Sequence, residues 1–140
     1  MPEEQGQQQE QQQAMQQYQQ IQQKMEKIQE YVKQVEENIQ EMNDTVEAVG
    51  KLEDMEEGSE ILAPLGAGVS VVAELKENQE VVTNLGADTL ETKELDAAQN
   101  VLKDRKKTLK ETKSELQDNL EELQEQMQEI QQQMQQAQQG

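Results

Sequence analysis

The sequence predicts a mainly α-helical chain with a small β section: a long antiparallel helical coiled-coil hairpin, interrupted by two β-hairpins that other subunits must complete. Three observations predict it. Apolar residues keep a heptad spacing near both ends, a β-branched, glycine-punctuated stretch lies between, and apolar residues total too few for a compact core. Only 32% of the 140 residues are apolar and 1% aromatic, whereas a globular domain of this size is ordinarily about 45–50% apolar.

The first helix is read from Ala14, Tyr18, Ile21, Met25, Ile28, Val32, Val35, Ile39, Met42, Val46 and Val49, spaced alternately four and three residues apart. That 3.5-residue period is the seam of a left-handed coiled coil. The remaining positions are mostly Gln, Glu and Lys, as a solvated helical face requires. Residues 1–10, polar and carrying Pro2 and Gly6, read as a frayed tail, and the helix occupies 11–58. Its last turn closes at Gly50, or at Gly58 with Leu52 and Met55 in an added turn.

The second helix, over 93–137 with a tail at 138–140, repeats the theme. Leu95, Leu102, Leu109, Leu116, Leu123, Ile130 and Ala137 recur every seven residues. Ala98 fills the other seam position early, and Leu120, Met127 and Met134 fill it late. Between them the seam holds Arg105 and Thr112, and its phase slips near Asn119. Thr92 is the expected N-cap. Set antiparallel, Val49 opposite Leu95 gives a register whose paired positions sum to 144. In it Arg105 faces Ile39, its head reaching Glu36 or Glu41.

The segment 59–92 supplies short strands. Leu65-Gly66-Ala67-Gly68 and Leu85-Gly86-Ala87-Asp88 lie twenty residues apart, each read as a three-residue hairpin loop with positive φ at glycine. Pro64 places the first strand at an edge or a bulge. Two hairpins without large aromatics cannot bury a core alone. Their apolar residues, Ile61, Leu62, Leu65, Val69, Val71, Val72, Leu75, Val81, Val82, Leu85 and Leu90, are therefore expected to form an oligomer interface.

Composition excludes several functions. The chain has no Cys and no His, so it lacks a thiolate nucleophile, the usual neutral-pH base and the commonest zinc ligands. Asp54, Glu56 and Glu57 do not have the spacing of an EF-hand loop, and no metal or other cofactor is expected. A net charge of −18 without a basic stripe argues against nucleic acid and anionic membranes as partners. Residues 1–20 have neither a basic start nor an apolar run, which predicts a cytoplasmic chain without a signal peptide.

The stretch Glu60–Val82, EILAPLGAGVSVVAELKENQEVV, and the stretch Asn84–Ala98, NLGADTLETKELDAA, closely resemble the prefoldin α subunit of archaeal type. Two hairpins rather than one match α rather than β subunits. The departure is Asp88-Thr89-Leu90-Glu91, where the family often has a third glycine and valines. The resemblance implies a chaperone without enzymatic activity, an α2β4 hexamer of a second α copy and four β subunits. Its hairpins would close an intersubunit double β-barrel from which coiled-coil arms project. It further implies that the arm tips hold non-native client proteins, without ATP, and deliver them to a group II chaperonin.

The residues add a rationale for such capture. In the 144 register Met134 and Ala137 face Glu10 and Gln7, so the open end of the seam loses its apolar partners. Ala14, Met15, Tyr18, Ile21, Met127, Ile130 and Met134 are accordingly the candidate client-binding residues. Methionine is flexible and polarizable, which suits varied partners. The glutamine-rich flanks read as helix-forming, solubilising faces. The alternative is a structural coiled-coil scaffold with one fixed partner, the β section serving as a clasp.

Overall fold

The computed structural model describes residues 2–84 and 86–139, and the side chains of 6, 8–84 and 86–136. Two expectations, Leu85 at the interface and Ala137 in the seam, fall outside these. Helix α1 spans Pro2–Leu52, strands β1 (Glu60–Gly66), β2 (Val69–Glu74), β3 (Glu80–Asn84) and β4 (Leu90–Glu94) follow, and helix α2 spans Leu95–Gln139. The residues group into two compact units, Met1–Asn38 with Leu109–Gly140, and Ile39–Thr108.

Helix α1 begins at Pro2, where a tail was expected. Proline is favourable at the first helical position, and the glutamines behind it are good helix formers. The helix stops at Leu52, between the two glycines considered. The amides of Asp54 and Met55 donate to the carbonyls of Lys51 and Leu52, both at 3.2 Å, satisfying two of the carbonyls orphaned at the helix end. Gly58, with φ 87°, lies beyond and belongs to the first hairpin: its amide donates to the Leu75 carbonyl at 2.7 Å. Asn78 Nδ2 donates to the Met55 carbonyl at 2.8 Å, tying the two connections together.

Strands β1 and β2 pair antiparallel with Leu62 opposite Val72 and Ala63 opposite Val71. The register shifts between Pro64 and Gly66, so Pro64 sits beside a bulge in a two-stranded sheet, where its missing amide costs no ladder bond. The first loop is tighter than expected. Gly66 pairs with Val69, leaving only Ala67 and Gly68, both at positive φ as a type I′ turn requires. Strands β3 and β4 pair with Val82 opposite Thr92 and Asn84 opposite Leu90, so the second connection is longer than three residues. In it Gly86, Ala87 and Asp88 have φ of 101°, 50° and 60°. Asn84 Oδ1 accepts from the Gly86 amide at 2.8 Å and the Thr89 amide donates to the Gly86 carbonyl at 3.0 Å. Thr92 is thus a strand residue, not an N-cap; β4 runs straight into α2, whose first amide, of Leu95, donates to Gln79 at 3.2 Å.

Within each unit α1 and α2 run antiparallel, and polar pairs show their register. In the first unit Gln131 Nε2 donates to Tyr18 Oη at 3.4 Å, and Lys113 Nζ lies 3.1 Å from Glu36 Oε1. In the second, Lys106 Nζ donates to Asn43 Oδ1 at 2.8 Å, and Gln99 Nε2 to the Val46 carbonyl at 3.1 Å. A β-carbon added to Gly50 would lie 3.0 Å from that same Gln99 nitrogen, so the glycine admits the amide across α1.

The positions Tyr18 and Gln131, Glu36 and Lys113, Asn43 and Lys106, and Gly50 and Gln99 all sum to 149, not 144. The 144 register and its phase slip are therefore corrected. Gln99, Lys106, Lys113, Leu120, Met127 and Met134 recur every seven residues and are all half-buried, alternating with Leu95, Leu102, Leu109, Leu116, Leu123 and Ile130. A sum of 148 sets this unbroken series opposite the α1 stripe, from Ala14 with Met134 to Val35 with Lys113 in one unit. In the other it sets Ile39 with Leu109 and Val46 with Leu102. Arg105 and Thr112 are exposed and outside the seam; the Arg105 guanidinium donates to the Asn84 carbonyl at 3.4 Å, not to Glu36 or Glu41. The physical reason is that lysine and glutamine stems fill seam positions while their heads find polar partners at the rim. Val49, Leu95 and Ala98 are buried in one unit, Ile21 and Ile130 in the other.

Candidate functional site

In the second unit the alternation of each strand gives its hairpin one sheltered and one open face. On the first hairpin Ile61, Ala63 and Ala73 share a face and are half-buried. Leu62 and Val72, directly opposite each other on the other face, are 70% and 63% exposed. On the second, Val81, Thr83 and Lys93 are half-buried, while Val82 is 65% and Leu90 66% exposed. Leu65, pushed out at the bulge, and Val69 and Val71 are exposed too, whereas Leu75 is half-buried. Side chains of this kind standing in water forfeit about 1–2 kcal/mol each that burial would return. Like charges close the base of each open face, Glu60 opposite Glu74 and Glu80 opposite Glu94, a pairing that favours a cationic or neutral neighbour over an acidic one.

In the first unit the candidate client-binding residues are differently disposed. Met15 is exposed; Ala14, Tyr18, Met127 and Met134 are half-buried; Ile21 and Ile130 are buried between the helices. In the register of sum 148 Met134 falls opposite Ala14, an apolar partner, and Glu10 lines the same groove. Beside this pair runs a groove of about 570 Å³, lined by Ala14 and Met134 together with Glu10, Gln11, Gln13, Gln17, Gln133 and Gln136. A second groove of about 360 Å³ shares Gln17 and Gln133 and adds Gln20, Lys24, Gln126 and Glu129 over Ile21 and Ile130. From the sequence alone these glutamines read as a solvated face. The signal for a groove is the recurrence of long polar side chains at i, i+3 and i+7 beside the seam, at Glu10, Gln13 and Gln17.

Among the described residues no group of three His, Cys, Asp or Glu is placed to hold a metal ion, and no helix is long and apolar enough to cross a membrane. The fold and its surfaces define a class: a coiled-coil chain whose β section keeps apolar faces open to solvent. The Prefoldin family model, describing a prefoldin subunit, matches residues 21–140. The chain belongs to the prefoldin family, whose members are chaperone subunits without enzymatic activity that assemble with one another. Among solved structures, the chain is similar to the cryo-EM structure of filamentous PFD from Methanocaldococcus jannaschii. The TM-score is 0.76 at 17% identity, over 82% of this chain and 95% of that one, a likeness of fold. Among curated proteins none matches the chain.

Proposed function

We propose that the chain is an α-type subunit of an ATP-independent holdase. In this reading it assembles with a second copy of itself and four β subunits into a hexamer. The hexamer captures non-native proteins at its coiled-coil arm ends and passes them to a group II chaperonin in the cytoplasm. The observation that carries the reading is the pair of open hairpin faces in a prefoldin-family chain: Leu62, Val72, Val82 and Leu90 are folded into strands yet stand in solvent. Such faces are completed by neighbouring subunits, and the arms are left for other work.

Client contact is assigned to the arm end: Met15 at the surface, with Ala14, Tyr18, Met127 and Met134 half-buried beside it, and Ile21 and Ile130 reached when the helices part. Each arm binds weakly, and several arms on one client raise the affinity through effective concentration. The test is suppression of the aggregation of an unfolded protein by the complex reconstituted with a β subunit. Deleting residues 1–22 and 124–140 abolishes capture and leaves assembly intact. Capture that survives the deletion moves the site elsewhere. A single tight client with no protection of diverse unfolded chains favours a structural scaffold with a fixed partner.

A further inference from the structure

Glutamine and charge are segregated along the first unit. Of the 29 glutamines, 23 lie in residues 5–23 and 124–139, stretches that hold three carboxylates (Glu10, Glu125 and Glu129) and no cation in a chain of net charge −18. The groove at the paired helix ends is therefore lined mainly with amides, and Glu10 is its one charged group. Five of them, on Gln11, Gln13, Gln17, Gln133 and Gln136, make no hydrogen bond within the described residues. The α1 flank of the groove precedes the stretch matched by the family model.

A primary amide offers two donors and an acceptor with two lone pairs. An anionic ligand is repelled by Glu10 and by the net charge of −18, and a purely apolar one would strip water from the amides without replacing its hydrogen bonds. A ligand that alternates neutral donors and acceptors meets both conditions, and the main chain of an extended polypeptide does so. From Glu10 to Gln17 the groove runs about 10 Å at 1.5 Å per residue, the length of about three residues of extended chain. The continuation past Gln20 and Gln126 lengthens it further. Native proteins have their peptide groups paired, whereas non-native segments expose them.

We infer that the glutamine-lined groove binds the main chain of extended, non-native polypeptide, its amides exchanging hydrogen bonds with unpaired peptide groups whatever the side chains. This rests on the holdase reading and names what the arm end recognises: backbone as well as apolar surface. It explains how one groove accepts unrelated clients, as strand-addition modes do through main-chain bonds.

The test uses the full-length chain and two fluorescein-labelled peptides of the same uncharged Ser, Thr, Val and Ala sequence, one N-methylated at alternate residues. Fluorescence anisotropy is expected to show about a tenfold loss of affinity for the methylated twin, the equivalent of one or two lost hydrogen bonds. A chain carrying Gln13→Ala, Gln17→Ala, Gln133→Ala and Gln136→Ala should lose a similar factor for the parent peptide. Its circular dichroism should stay unchanged, since alanine keeps the helices. Equal affinity for the twins, or unchanged binding by the alanine variant, overturns the inference. So does self-association through the glutamines in place of peptide binding, read by sedimentation, or no binding of either peptide while the reconstituted complex still suppresses aggregation. Backbone-dependent binding by a complex that fails to suppress aggregation would instead overturn the holdase reading alone.

Discussion

The open hairpin faces make a quantitative demand on assembly. Leu62 and Val72 lie directly opposite each other and keep 70% and 63% of their surface in solvent. Full burial of such a side chain is worth about 1.5–3 kcal/mol, so covering the remaining two-thirds returns about 1–2 kcal/mol each. Replacing both, Leu62→Ser with Val72→Ser, therefore removes about 3 kcal/mol from any interface that covers them, a little over a hundredfold in the association constant. The isolated chain loses only the cross-strand contact, about 0.2–1 kcal/mol. Sedimentation velocity with a β subunit over a concentration series reads the association constant, and circular dichroism of the chain alone checks its fold. Tyr31→Ser is the control: Tyr31 is 59% exposed on α1, and its loss should leave assembly unchanged. An association constant within threefold of the parent for the double serine variant, or an equal loss for Tyr31→Ser, would refute the assignment of the interface to these faces.

Three further outcomes are expected. The chain has no native cysteine, so Ile28→Cys with Leu120→Cys should form an intramolecular disulfide on mild oxidation. Ile28→Cys with Leu116→Cys, the pair of the 144 register, should not, because four residues displace the partner by about 6 Å along the axis. Gly50→Ala alone should be near neutral in thermal stability, its helix gain of about 1 kcal/mol offset by displacing the Gln99 amide from the Val46 carbonyl. In a Gln99→Ala background the same change should stabilise by about 1 kcal/mol, and a cycle with no coupling would contradict the contact. Ala87→Gly should relieve a left-handed alanine in the second connection and slow amide exchange of Thr83 and Glu91 several-fold, about 1 kcal/mol; faster exchange would count against that loop geometry.

Element types were legible because their signals are local. The 4–3 spacing from Ala14 to Val49 needs no knowledge of the partner helix, and the glycines at 66, 68 and 86 do adopt positive φ. The register was not legible from apolar residues alone. A seam counted by hydrophobicity passes over Gln99, Lys106 and Lys113, whose stems pack while Val46, Asn43 and Glu36 hold their heads; Arg105 and Thr112 were placed in the seam instead. Counting every seventh residue backward from Met134, whatever its polarity, would have found them. The β4 to α2 junction was missed for a similar reason: Thr92 looks like a helix cap in isolation, and only its pairing with Val82 makes it a strand residue. The apolar hairpin residues were readable as a group, but which of them stand open depended on the bulge at Leu65 and on which face the rest of the unit shelters. The amide groove was hidden because glutamine on one helix looks like solvent-facing filler until the second helix lies beside it.

Native mass spectrometry of the chain co-expressed with a prefoldin β subunit weighs the proposed assembly most directly. The account predicts one dominant complex holding two copies of this chain and four of its partner, and little free chain. A stable monomer that ignores the partner, with Leu62 and Val72 still open to solvent, would contradict it.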